Sequence, residues 1–204
     1  MAYFQAIGVI ANELVRRETK AGVVTCFRFV SGVPGKGQLW IDAEAWGRTA
    51  GTLNVHGVKG RSLSLAGRLT YKEWRDRGDG TKRHRVVVTV ADFDFLDRPH
   101  NSDQVAPSVH NQTCLTGRVE SVPVAGPRPD TVTFDVVSGR AGSKTGRLWL
   151  AAQTWGNLND AAEGLAVGDA VHLSGRLAYR KGEPTGDGVK TPGLHYLRCT
   201  SLAT

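Results

Sequence analysis

The chain has 204 residues, 26 Lys and Arg against 19 Asp and Glu, and a pI near 9.6, which suits two small domains and favours an anionic partner. No run is apolar for the width of a bilayer and no secretory leader pattern opens the chain, so a soluble cytoplasmic protein without membrane contact is expected. Cys26, Cys114 and Cys199, odd in number and without CxxC spacing, argue against a disulfide framework and a zinc site.

Tyr3 to Asn12 reads as a first strand, with Gly8 where it must bend. Glu13 to Gly22 is polar and basic and predicts a loop. Val23 to Val30, rich in β-branched and aromatic residues, predicts a second strand, and Ser31 to Gly37 a Gly/Pro loop. The third strand, Leu39-Trp40-Ile41-Asp42-Ala43-Glu44-Ala45-Trp46-Gly47, puts Leu39, Ile41, Ala43 and Ala45 on one face and Trp40, Asp42, Glu44 and Trp46 on the other. Arg48 to His56 predicts a short helix, weakened by Gly51 and Asn54. Gly60 to Arg75 alternates as a long fourth strand with a bend at Gly67. Arg77 to Thr81 is a hairpin turn, and His84 to Val90 returns as the fifth strand.

Arg98 to His110 has two prolines and no periodicity and is expected to be a linker, dividing the chain into 1–98, a 99–110 connection and 111–204. The plan then restarts. Cys114 to Val119 takes the first-strand place and Val132 to Gly139 the second. Leu148-Trp149-Leu150-Ala151-Ala152-Gln153-Thr154-Trp155-Gly156 repeats the tryptophan strand 109 positions on, and Gly168 to Tyr179 matches Gly60 to Tyr71. Lys181 to Gly193 is a longer loop with no counterpart of Trp74, and Leu194 to Leu202 closes the second unit. Five strands with a helix after the third is the plan of an OB-fold, so an all-β chain of two tandem five-stranded Greek-key barrels is expected.

Tryptophans on the polar parity of a strand, in both copies, suggest a stacking platform for flat ligands, above all nucleobases. The alternative is that a loop or a second subunit covers them. Tyr71 and Tyr179 fall on the apolar parity, which favours core packing. The basic run Lys72, Arg75, Arg77, Lys82, Arg83 and Arg85 flanks one hairpin and, with Arg68 on the same strand, suits a groove that tracks a phosphate backbone. The second unit offers Arg176, Arg180 and Lys181. No histidine set has metal-ligand spacing, no glycine loop has the Walker order, and no paired acids suggest nuclease chemistry, so neither a cofactor nor a metal nor a reaction is expected.

At Trp40, Trp46, Gly47 and Arg48, at Gly60 to Leu69, and at Lys72-Glu73-Trp74-Arg75-Asp76 the chain resembles the bacterial single-stranded DNA-binding proteins. The resemblance implies base stacking on Trp40, Trp46 and Trp74, with Arg48, Lys72 and Arg75 along phosphates. The second unit keeps Trp149, Trp155 and Gly156 but has Asn157 at the basic position. It also implies a nucleoid-associated role in replication, recombination or repair, and a homodimer, since four OB-folds usually assemble in that family.

Three features depart from the family. Asp42 and Glu44 stand between the tryptophans, the Ser31 to Gly37 loop has no tryptophan, and the sequence ends without the acidic tail that recruits replication and repair proteins. A rival expectation is an adaptor whose exposed tryptophans bind protein. Residues 1–98 carry 16 basic and 10 acidic side chains against 10 and 9 in the remainder, a net +6 against +1, so the first unit is expected to contribute most of the affinity.

Overall fold

A computed structural model describes residues 2–32, 37–76, 78, 80–96, 110–139, 147–182 and 193–204. The first unit comprises β1 (Ala2–Ile10), β2 (Val15–Thr19), β3 (Gly22–Ser31), β4 (Leu39–Trp46), α1 (Gly47–His56), β5 (Ser62–Arg75) and β6 (Lys82–Phe95). The second comprises β7 (Asn111–Val119), β8 (Val124–Ala125), β9 (Thr131–Ser138), β10 (Leu148–Trp155), α2 (Leu158–Glu163), β11 (Ala170–Arg180) and β12 (Leu194–Ala203).

Each unit closes on itself. In the first, β3 pairs with β4, β4 runs parallel to β6 at Asp42–Val87, β6 pairs with β5, β5 with β1, and β1 returns to β3 at Val9–Val30. The second repeats this circuit through β9, β10, β12, β11 and β7, with the parallel contact at Ala151–Tyr196. This is the OB-fold, present twice. The inward parity supplies the core: Phe4, Phe29, Ile41, Leu63 and Leu65 in one barrel, and Leu115, Leu148, Leu150, Leu173 and Leu177 in the other.

The tryptophan strands keep the expected inner face, but on the outer face Glu44 and Gln153 are buried rather than exposed, each at 6%. Leu39, Ile41, Ala43 and Ala45 are buried, as are Leu148, Leu150 and Ala152 opposite Trp149. After each strand a glycine with positive φ, +56° at Gly47 and +59° at Gly156, turns the chain towards the helix. The helix bases are apolar: Ala50 and Leu53 of α1, and Ala162 of α2, are buried.

Two features differ from expectation. Glu13 to Gly22 is not a simple loop, because Val15–Thr19 pairs along β3 from Val15–Cys26 to Thr19–Gly22. All five of its residues are exposed, so no apolar alternation marks it in the sequence. The two barrels are also joined by more than a linker. β1 pairs antiparallel with β7 from Ala2–Leu115 to Ala6–Asn111, making one continuous twelve-stranded sheet. The expected connection lies outside the described residues except for His110, whose carbonyl accepts from the Ile7 amide at 3.0 Å.

Candidate nucleic-acid interface

β5 and β6 form a hairpin longer than the barrel needs. β1 accompanies β5 only from Ser62 to Arg68, so from Leu69 to Arg75 the strand has β6 alone as neighbour on the sheet. The hairpin therefore projects from the barrel, carrying Tyr71, Trp74, Arg83, His84 and Arg85 into the angle between the units. β11 likewise outruns β7 beyond Gly175 and carries Tyr179 outward.

Between the units lies a groove of about 1050 Å³, with Trp40, Tyr71, Trp74 and Arg85 on one side and Trp149, Tyr179 and His195 on the other. Trp40, Trp74 and Trp149 remain 42%, 41% and 38% exposed. The Tyr71 ring meets Trp149 edge-on at 5.5 Å and stacks on His84 at 5.2 Å, and the Arg85 guanidinium lies 5.4 Å from the Trp74 ring centre. Across the groove, His195 Nε2–H donates to the Trp40 carbonyl at 2.8 Å. A carbonyl only accepts, so this nitrogen carries the proton. Burial holds the imidazole below the ordinary histidine range, outweighing the Trp40 carbonyl and the Asp42 carboxylate, which pull it upward. Burial also raises Tyr71, with Glu73 adding to it.

The acids between the tryptophans are compensated. Asp42 accepts from Arg28 Nε at 3.1 Å and from Arg85 at 2.7 Å, while the buried Glu44 pairs with Lys72. Two more cations of the hairpin are engaged, Lys82 with Glu73 at 3.1 Å and Arg83 with Asp76 at 2.8 Å. Several of the first unit's cations are thus paired locally, and the surface pairs among these exchange readily with a competing anion.

Of the residues singled out in sequence, the groove gathers Trp40, Trp74, Lys82, Arg83, Arg85 and Trp149. Trp46 and Trp155 are half-buried at the start of the helices and do not line it, and Arg198 lies over the Trp155 ring at 5.3 Å. Arg48, Arg68, Lys72, Arg75, Arg176 and Lys181 also lie off the groove, Arg180 lines a neighbouring cavity, and Arg77 is outside the described residues. Arg28, Tyr71, His84, Tyr179 and His195 line it without having been singled out as site residues. Tyr71 touches the core as its parity suggests, yet its ring also faces the groove, and Tyr179 is 37% exposed rather than a core residue. The signal available was length: both tyrosines sit where one strand has outrun its neighbour.

Cys26, Cys114 and Cys199 are free, and burial pushes the Cys199 thiol up to about 12, which leaves it protonated and inert. Among the described residues no group of His, Cys, Asp and Glu is arranged to hold a metal, and no helix is long and apolar enough to cross a membrane.

Fold and groove together define a tandem OB-fold chain with an aromatic, basic cleft shared by both barrels. Among curated proteins the chain is similar to Single-stranded DNA-binding protein 2 of Nostoc sp., 29% identical over 75 residues that cover 37% of this chain and 59% of that protein. It is also similar to the single-stranded DNA-binding protein of Helicobacter pylori, 36% identical over 85 residues, covering 41% and 47%. The chain spans about half the length of the curated relatives it matches. Among solved structures, the wild-type single-stranded DNA binding protein from Thermus aquaticus superposes with a TM-score of 0.69 at 18% identity, over 99% of this chain and 91% of that one. That likeness bears on fold and extends it across both barrels. No protein-family model matches the chain. The resemblance to bacterial single-stranded DNA-binding proteins read from the tryptophan motifs is borne out.

Proposed function

We propose that the chain binds single-stranded DNA without strong sequence preference, in the groove between its two barrels. The observation that carries this reading is the convergence of three exposed tryptophans, Trp40, Trp74 and Trp149, in one cleft edged by Arg28, Lys82, Arg83 and Arg85. Every base has a π face, so indoles accept any base, and the cations supply a backbone attraction that ignores sequence. Both barrels feed one groove, so a single strand crosses the barrel boundary. Two of the three groove tryptophans belong to the first unit, which therefore keeps the larger share of the affinity.

The reading includes no reaction. Its biological context is the protection of exposed strands in replication, recombination or repair, in the cytoplasm at the nucleoid. Two barrels per chain suit a homodimer that presents four. Anisotropy titration with oligo(dT) and with duplex of equal length tests the binding: much tighter binding of oligo(dT), weakening as salt rises, is expected. Equal affinity for both forms, or a flat salt response, contradicts it and turns attention to protein partners for the indoles. Light scattering on the same samples is expected to give the mass of two chains, and a mass of one removes the dimer.

A further inference from the structure

The internal repeat gives each position in one barrel a partner in the other, and one cavity has changed character between them. In the first barrel the space over β3 and β4 is about 180 Å³ and is lined by Asn12, Asp42, Glu44 and Arg85. Its acids are paired, Asp42 with Arg28 and Arg85 and Glu44 with Lys72. The matching space over β9 and β10 is about 360 Å³, and Ser121, Ala151, Gln153 and Leu194 take those four places. The equivalence is structural: the Asn12 Oδ1 accepts from the Arg28 amide at 2.6 Å, and Ser121 Oγ from the Asp135 amide at 2.8 Å. Where one barrel has an ion network, the other has a methyl group, a carboxamide and a leucine.

Three observations say what the enlarged cavity accepts. Gln153 is only 6% exposed and lines the cavity, and no described residue hydrogen-bonds its side chain. Thr113 Oγ1 is the one buried side-chain polar atom left without a partner among the described residues, so the Gln153 carboxamide keeps access to the cavity space. Its NH2 donor and carbonyl acceptor are therefore available to the edge of an incoming ligand. The walls include the aromatic rings of Tyr179 and Tyr196 together with Arg128 and Arg180, which suits a flat ligand with an anionic attachment. Finally, Asp135, Ala151, Tyr179 and Leu194 line both this cavity and the groove, so one opens off the other. Its volume lies towards the small end of ligand sites, about 300 to 1,000 Å³.

We propose that this cavity takes one unstacked nucleobase from a strand lying in the groove, with the Gln153 carboxamide hydrogen-bonding the base edge. The proposal rests on the single-strand reading above. A carboxamide presents a donor beside an acceptor, the pattern through which Gln reads a base bidentately. Tyr196 and Tyr179 supply stacking surface, and Arg128 and Arg180 meet the flanking phosphates. The first barrel lacks this site because ion pairs fill the equivalent place. One nucleotide per chain is thus held by its edge while the others are held by their faces.

The test follows the Gln153 side-chain NH2 signal by ¹⁵N NMR in the whole protein, assigned by its loss in Gln153→Leu. Nucleoside monophosphates are expected to shift it and ribose 5-phosphate is not. Gln153→Leu is also expected to weaken oligo(dT) binding about tenfold, within the range for a lost bidentate base contact, with unchanged thermal stability. If no monophosphate moves the signal, or ribose 5-phosphate moves it equally, and oligo(dT) binds variant and wild type alike, the cavity proposal falls while the groove reading stands. If oligo(dT) does not bind the wild type at all, the groove reading itself falls and takes this proposal with it.

Discussion

Lys72 and Arg75 sit three residues apart on the same hairpin strand, yet their surroundings give them different tasks. Lys72 pairs with Glu44, whose residue exposure is only 6%. Removing the ammonium leaves a buried carboxylate without compensation, a loss of roughly 1 to 3 kcal/mol. Arg75 is exposed, and no described carboxylate pairs with it. Lys72→Ala is therefore expected to lower the denaturation midpoint clearly, whereas Arg75→Ala leaves stability unchanged and, if it meets a phosphate, flattens the salt dependence by about 0.7 in log–log slope. Chemical denaturation and a salt titration of both variants check this. A stable Lys72→Ala with a reduced salt slope would return Lys72 to the phosphate contacts the motif implies.

At the scale of elements, both long hairpins bend at a glycine, and the bend sets where the groove residues point. The β5–β6 register shifts between Ala66 and Gly67, and the β11–β12 register between Ser174 and Gly175. A Cβ on Gly67 would stand 2.3 Å from the Thr89 carbonyl oxygen, and one on Gly175 2.0 Å from that of Arg198. Both neighbours are backbone, so the strand pair must part. Gly67→Ala and Gly175→Ala are each expected to destabilise by about 1 to 3 kcal/mol in thermal or urea unfolding, the usual range for overpacking. Wild-type stability in either would show that the bulge tolerates a side chain.

The bend at Gly67 was legible in the sequence, as were the barrel strands, because burial on one face writes period-2 alternation into the chain. β2 was not, since an all-exposed edge strand carries no such signal. The tryptophan pairing within each strand was legible, but the convergence of Trp40 with Trp149 was not. It depends on the β1–β7 seam, whose residues alternate as they would in any outer strand. Tyr179 was missed for a related reason: parity says which face a side chain takes, and not whether the barrel still covers that face.

At the scale of the molecule, the groove exists only while the barrels keep their relative placement, and His195 is one of the groups that fix it. Its N–H donates to the Trp40 carbonyl of the other barrel, and burial holds its pKa below the ordinary value. The unfolded chain therefore takes up this proton first as pH falls, so the contribution present above about pH 6.5, the ordinary histidine value, is lost on acidification towards the folded-state value. The melting temperature is expected to drop between pH 7 and pH 5, and His195→Gln, which retains a donor but does not titrate, is expected to show a shallower drop. Parallel curves for the two proteins would mean that His195 does not link pH to the barrel interface.

The central claim is that bases stack in the inter-barrel groove rather than along two separate tryptophan strands. The five tryptophans divide cleanly for this purpose: Trp40, Trp74 and Trp149 line the groove, and Trp46 and Trp155 do not. The most direct measurement is intrinsic fluorescence titrated with oligo(dT) at fixed salt, comparing Trp46→Phe/Trp155→Phe with Trp40→Phe/Trp74→Phe/Trp149→Phe. The account predicts that the first variant keeps near wild-type affinity and nearly all of the quenching. In the second, quenching disappears and affinity falls measurably, though by less than the loss of about 1 to 3 kcal/mol per base that alanine substitution causes, because phenylalanine keeps a smaller stacking face. Quenching that survives in the second variant and vanishes in the first would place the strand at the helix-flanking tryptophans and contradict the groove.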